Sequence, residues 1–414
     1  MRAPLLAAFT CLNLWPAAAW AVDWSLRSTA SETVEANDNQ FLTPSPPGPT
    51  VSSYSSITAN AEARTPTSKF DFDSYVNYRK YWGPGTEGLQ QTENLAYGFT
   101  GHYETFGKNG IDRNFLETSY TSSSAAFALL NQLGVLSPTS GTLNTATARG
   151  GIDRALSARD TLSLSAQSTY TFYDPFGGGT PFTDTIGSAF WQHRVNSTVA
   201  ILVSSQAEYL SYENALGTSV LILRNQAGVD IAITPLLSFR GTIGPAYVQT
   251  QNGVNTLASA SGGSNGALSS SVADWITDLL LTYKALKSTT FTLAATQTVG
   301  PSVVGSLFKT TTVRGGMTYT INSYSSISLA ADISRVISSN TTDFASASVT
   351  YSHQLAREWN AQISYRHLHR FPSTGTTTFD PITGTPLLSG SAAADSNSLL
   401  VVVSKSMTVL PHLQ

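Results

Sequence analysis

Cysteine is nearly absent: Cys11 alone occurs in 414 residues. It sits in an N-terminal stretch with the marks of a secretory signal, so a mature chain free of cysteine is expected, without disulfides or thiolate metal sites. Charge is also scarce. Asp, Glu, Lys and Arg make up 12% of the chain, against about 25% in a soluble domain. The formal charge is −3, or −3 − 1 = −4 once Arg2 leaves with the signal. That weak acidity gives no support for nucleic-acid binding, and no nucleic-acid partner is expected. After Val22 no apolar run reaches 18 residues, so no transmembrane helix is expected. Met and Lys are few, whereas Gly, Ser and Thr abound and aromatics reach 10%. β-Branched and aromatic residues recur in phase, which excludes a disordered chain.

Residues 1–21 read as the signal. Arg2 supplies the positive end, Leu5 to Ala21 a short apolar stretch broken by Asn13 and Pro16, and Ala19-Trp20-Ala21 a small-x-small cleavage site. The expected organisation is a signal peptide over 1–21 and one domain over 22–414. Phe9 and Thr10 before Cys11 do not resemble a lipoprotein signal.

The most informative segment runs from Lys69 to Trp82. Phe70, Phe72, Val76 and Tyr78 occupy even positions, and Asp71, Asp73, Tyr75, Asn77 and Arg79 odd ones. Successive side chains on a strand face opposite sides, so one face is apolar and the other charged. The alternation repeats along the chain. Leu95, Tyr97, Phe99 and Tyr103 oppose Asn94, Thr100, His102 and Glu104; Leu221, Leu223, Val229 and Ile231 oppose Arg224, Gln226 and Asp230. Trp359, Ala361, Ile363 and Tyr365 oppose Asn360, Gln362 and Arg366. A soluble two-sheet sandwich alternates in the same way. It does not account for aromatics gathered near strand ends (Tyr78, Trp82, Tyr103, Trp191, Tyr209, Trp275, Tyr283, Trp359), which suit the headgroup depth of a bilayer.

Connections alternate between long and short. Long ones are expected at Ala36–Thr50, Gly83–Gln91, Ala128–Thr142, Phe176–Asp184, Gly253–Val272, Gly300–Gly305 and Thr374–Ala394. Short ones are expected at Arg64–Ser68, Gly107–Asp112, Ala158–Asp160, Asn196-Ser197, Pro235, Lys287–Thr289, Asn322–Tyr324 and Arg357-Glu358. Long loops on one side and tight turns on the other are the rhythm of an outer-membrane barrel. The expected fold is all-β: a single transmembrane antiparallel up-and-down β-barrel of about 18 strands, with 16 the alternative.

The mature N-terminus carries Trp24-Ser25-Leu26, then Ser31-Glu32-Thr33, then Asp38-Asn39. This opening resembles the first strand and loop of outer-membrane barrels of the porin-2-like or PEP-CTERM-associated type, often tied to exopolysaccharide loci. The resemblance implies an outer-membrane barrel with a role in polysaccharide export, and it supplies no catalytic residues. One departure is the C-terminus, Leu410-Pro411-His412-Leu413-Gln414, where many outer-membrane barrels finish on an aromatic. A last strand near Asn397–Val409 followed by a tail accommodates it.

Thirteen charged residues fall in lumen phase: Asp71, Asp73, Arg79, Glu104, Glu208, Arg224, Asp230, Arg240, Asp274, Asp278, Arg314, Asp332 and Arg366. In a water-filled pore they would set solute selectivity; in a narrow barrel they would pair across strands and fill it. Ser123–Gly134 departs from period two, with Ser123 or Ser124 placed to cap a short helix that constricts the lumen; an ordinary strand continuing past Phe115 is the alternative. Gly177-Gly178-Gly179 lacks a following Lys-Ser/Thr and precedes Pro181, so it is a loop and not a phosphate cradle. His367 and His369 share a strand face, yet flanking Arg366 and Arg370 and the lack of a third ligand argue against metal. His193 and His353 have serines nearby, as a lipid hydrolase on the barrel's outer face would require, but in a Ser-rich chain that proximity carries no weight, and no enzymatic activity is expected.

Function is thus expected to be transport in the outer membrane of a Gram-negative bacterium, without a cofactor. The partners are outer-membrane lipid and either a small polar solute or a polysaccharide, the latter with periplasmic export components. A non-conducting scaffold or surface-binding barrel is the alternative, and a barrel enzyme acting on lipid a third.

Overall fold

The computed structural model describes residues 22–87, 89, 91–107, 112–125, 141–174, 180–214, 217–252, 269–301, 307–337, 341–372 and 392–410. Residues 1–21, where a signal peptide is expected, Gly177–Gly179 and the chain beyond Leu410 lie outside them, as does most of Ser123–Gly134. The first strands are β1 (Asp23–Asn37), β2 (Thr50–Arg64), β3 (Ser68–Trp82), β4 (Glu93–Phe106), β5 (Arg113–Ser124) and β6 (Thr142–Ala155). They are followed by β7 (Asp160–Tyr173), β8 (Phe182–Arg194), β9 (Val199–Tyr212), β10 (Ser219–Thr234), β11 (Leu237–Gln251) and β12 (Ser269–Leu286). The last are β13 (Thr289–Pro301), β14 (Leu307–Asn322), β15 (Ser325–Ile337), β16 (Thr341–Gln354), β17 (Trp359–Arg370) and β18 (Ala394–Leu410).

Every strand pairs antiparallel with its sequence neighbours, and β18 closes on β1 from Leu26↔Leu410 to Asn37↔Ser398. The result is an 18-stranded closed barrel. Closure leaves no sheet edge with unpaired N–H and C=O groups, the condition for crossing a medium without water.

The short connections (65–67, 107–112, 156–159, 195–198, 235–236, 287–288, 323–324, 355–358) gather at one end with both termini of the barrel. They match the expected turns. Side chains close several of them: Asn196 Oδ1 accepts from the amides of Thr198 and Val199 at 2.8 Å, and Thr234 Oγ1 accepts from the Leu237 amide at 3.0 Å. The opposite strand ends carry the remaining connections, β1–β2, β3–β4, β5–β6, β7–β8, β9–β10, β11–β12, β13–β14, β15–β16 and β17–β18. Two of these, between β9 and β10 and between β15 and β16, are not among the seven long stretches marked by composition, because few residues separate the strands. In the first, Asn214 Oδ1 accepts from the Thr218 amide at 2.9 Å and Gly217 turns at φ 61°.

The outer face is apolar. Phe72, Val76, Leu95, Phe99, Ile201, Leu293, Val313, Ile333 and Ile363 are all exposed there, Ile333 at 62%. Exposed aromatics form two bands: Tyr78, Trp82, Tyr209 and Trp275 toward the loop end, Tyr103, Tyr283 and Trp359 toward the turn end. On β12, Trp275 and Tyr283 are 283 − 275 = 8 residues apart, about 26 Å along the strand; the apolar band of a membrane barrel is about 25 Å tall. Glu32 departs from this pattern. It shares the outer phase with exposed Val34, and its carboxylate accepts a hydrogen bond from Ser55 Oγ at 2.5 Å.

One irregularity shapes the loop end. The β12–β13 ladder stops at Thr277↔Gln297, while β13 continues along β14 to Pro301↔Leu307. Above the break β13 leans inward. Val299 is buried among Leu210, Ile222, Val248 and Ile276, and Ile337 packs against the same cluster. A second buried cluster joins Val336, Phe344, Leu368 and Ala394 to Leu42 from the first loop. Two apolar groups therefore narrow the loop-end mouth. Beside it, Pro245 cannot donate to the ladder, and the β10–β11 pairing skips Asn225 and Gln226. Glycine at 244 allows the close approach there, since a Cβ would sit 1.8 Å from the Asn225 carbonyl oxygen.

Candidate functional site

All thirteen charged positions named above share the phase opposite the exposed apolar set, on the inner wall. They do not form one site. Near the loop end, Glu35 of β1 lies between two arginines, with Arg79 Nη2 at 4.0 Å and Arg366 Nη2 at 3.8 Å. Each of these contacts passes over an intervening strand, a reach that the concave face shortens. Arg79 also donates to Tyr81 Oη at 3.0 Å, and its guanidinium stands 4.9 Å from the Tyr54 ring centroid. The cation is therefore held by an anion and by the negative faces of aromatic rings together.

A second group belongs to β8–β12. Arg224 pairs with Glu208 and also donates to the Val299 carbonyl, capping a backbone group freed where β13 leaves β12. Both side chains are largely buried. Asp184, Glu208, Arg224, Gln226 and Asp278 line a cleft of about 380 Å³ beneath the apolar cluster. At the same break Lys309 reaches Asp274 at 2.6 Å.

The third group lies toward the turn end. Lys69 contacts Asp71 at 2.9 Å and Glu62 at 3.7 Å, while Arg113 bridges Asp153 at 2.7 Å and Glu104 at 3.3 Å. His102 lies 3.3 Å from Glu117 and 3.6 Å from Glu104. Elsewhere Asp73 accepts from Asn60 Nδ2 at 2.8 Å, Arg314 lies 3.7 Å from Asp332, and Asp230 faces Arg240 in register. The inner wall is thus a set of local ion pairs spaced by Ser, Thr and Asn.

Sequence reasoning passed over Glu35, Glu62, Lys69, Arg113, Asp153 and Asp184, which the fold brings into these groups. Glu35 was accessible to the same method: counted in twos with Thr33 and Asn37, it falls in phase with Arg79 through the Tyr54↔Arg79 and Thr33↔Tyr54 pairs.

The other candidates resolve differently. Ser123 and Ser124 end β5, paired with Leu143 and Thr142, and Ala125 directly after them is in helical conformation; the rest of the proposed constriction lies outside the described residues. His367 and His369 do share a face, the outer one, but Arg366 and Arg370 point to the opposite side, so the cations do not crowd them as expected. His369 Nδ1 lies 2.6 Å from Asp395 Oδ1 and His367 Nδ1 2.9 Å from Asn397 Oδ1. Among the described residues no three acidic, His or Cys side chains are placed to hold a metal ion. His353 Nδ1 meets Ser325 Oγ at 2.8 Å on the outer face; at His193, Nδ1 instead meets Asp160 Oδ1 at 2.8 Å, with Ser157 donating to the same carboxylate at 2.6 Å. In that second arrangement the serine is bonded to the acid and not to the imidazole, so the order needed to activate a nucleophile is lacking.

No protein-family model and no curated protein sequence matches the chain. The fold does have solved counterparts. The FrpB iron transporter from Neisseria meningitidis, F5-1 variant, superposes with a TM-score of 0.52 at 6% identity, over 93% of this chain and 82% of that one. The ferric-catecholate import receptor Fiu from E. coli K12, in its closed form, gives 0.50 at 9% identity, over 93% and 82%. At these identities the likeness is one of architecture: this chain builds the kind of closed barrel seen in those transporters.

Proposed function

We propose that the protein is an outer-membrane transport barrel of a Gram-negative bacterium, serving as a passive channel for small polar solutes. The observation that carries the reading is the division of one closed sheet into an apolar outer face with two aromatic bands and an inner face of hydroxyls, amides and paired charges. Such an inner wall supplies groups that replace part of a solute's hydration, and the spaced ion pairs give alternating local fields. The apolar clusters at the mouth restrict entry on the β8–β17 side. The barrel architecture shared with FrpB and Fiu agrees with transport. A conduit for exopolysaccharide is the finer reading, favoured by tyrosines on the lumen wall at 54, 75 and 81.

Reconstitution into a planar bilayer tests the proposal. Steady open-channel current is expected. Absence of current at any voltage would instead support a non-transporting scaffold or surface-binding barrel.

A further inference from the structure

The inner wall over β2–β5 holds a cleft of about 650 Å³ whose lining includes Tyr54, Ser56, Tyr75, Asn77, Arg79 and Asn94. Three features set it apart from the rest of the lumen. The first is an aromatic platform. Tyr75 lies over Gly98, where an added Cβ would come within 2.7 Å of Cε1 and 2.8 Å of Cζ, so the glycine leaves room for the ring against the wall. The second is unused hydrogen-bonding capacity: Asn77 Oδ1 and Arg79 Nε are buried without a partner among the described residues, although buried polar atoms are normally satisfied. The third is charge, because Arg79 and Arg366 share the single carboxylate of Glu35 and leave a local excess of one positive charge.

From these features we propose that the cleft is a binding subsite for a sugar ring, with an acidic sugar preferred over a neutral one; this rests on the transport reading of the same lumen. A pyranose has an apolar C–H face and a rim of hydroxyls. The face suits the exposed side of the Tyr75 ring, and the rim suits Ser56, Asn77 and Asn94. A ring carboxylate would answer the excess charge at Arg79, the arginine that lines the cleft. An inorganic anion would use the arginine alone and gain nothing from Tyr75.

The test is calorimetric titration of the purified barrel in detergent micelles with a glucuronic-acid oligosaccharide and with a glucose oligosaccharide of equal length. Saturable binding is expected, tighter for the acidic sugar. Tyr75→Ala should weaken it by about tenfold or more. Gly98→Ala keeps the ring but displaces it, and its Cβ also meets the Tyr120 carbonyl oxygen at 2.8 Å; binding should weaken too, with urea resistance checking that each variant is folded. Absence of saturable binding, or binding unchanged in both variants, overturns the subsite. Planar-bilayer current separates the two levels of inference. A barrel that conducts without binding sugar retains the channel and loses the subsite, whereas one that binds sugar without conducting retains the subsite and loses the channel.

Discussion

Glu35→Gln removes the one carboxylate between Arg79 and Arg366. At nitrogen–oxygen separations of 4.0 and 3.8 Å, each attraction is worth about 1 kcal/mol in bulk water and about 4 kcal/mol at an effective dielectric of 20. The arginine side chains keep 19% and 34% of their exposure against 6% for Glu35, so lumen water screens the pairs and places each toward the lower figure. Two such pairs, and two like charges left facing each other, put the expected loss at about 2 kcal/mol of unfolding free energy. Urea unfolding of the barrel in lipid vesicles reads that loss as a lower midpoint. The same change adds one positive charge to the wall, so the zero-current potential across a potassium chloride gradient should move toward chloride selectivity. Replacing Arg79 by Met in the Glu35→Gln background removes the repulsion and should recover part of the stability. An unchanged midpoint together with an unchanged zero-current potential would refute the assignment of this trio to a functional lumen.

At the β12–β13 break, Arg224→Ala should cost about 3–5 kcal/mol, because it leaves Glu208 buried and uncompensated; the Glu208→Gln, Arg224→Met pair should restore most of it in the same unfolding assay. On the outer face, Glu32→Val should raise stability in lipid by about 1–2 kcal/mol, since a carboxylate facing hydrocarbon is costly, whereas a loss would mean that protein and not lipid covers this position. Shortening the side chain that closes the 213–218 turn, Asn214→Ala, should loosen the β9–β10 hairpin and speed amide exchange at Thr218, whose N–H it accepts.

The barrel was legible because its rules are local. Tight turns marked by Asn196, Pro235 and Asn322 recur at the observed positions, and the two-residue period of Lys69–Trp82 extends through all the strands. The strand count rested on the alternation of long loops and short turns together, although the β9–β10 and β15–β16 connections carried no mark in composition. Partners across the lumen were not legible, because they depend on which strands meet when the sheet closes. Glu35 and Arg366 are brought together by the β1–β18 seam, which no hairpin rule encodes. The inward lean of β13 was equally hidden: Val299 keeps the outer phase of its strand and is nonetheless buried, because the ladder below it ends. The flanking arginines at His367 and His369 misled for a simpler reason, since neighbours in sequence on a strand face opposite sides.

The central claim is that one face of each strand meets lipid and the other meets water, and a barrel without cysteine after Cys11 allows a direct measurement. Single cysteines placed at Phe72, Asp73, Val76 and Asn77 in vesicle-reconstituted protein can be challenged with a membrane-impermeant thiol reagent and with a lipid-soluble quencher of an attached probe. Asp73→Cys and Asn77→Cys should react with the aqueous reagent, and probes at Phe72→Cys and Val76→Cys should be quenched from the lipid, in strict alternation. Equal aqueous labelling at all four positions would contradict the account.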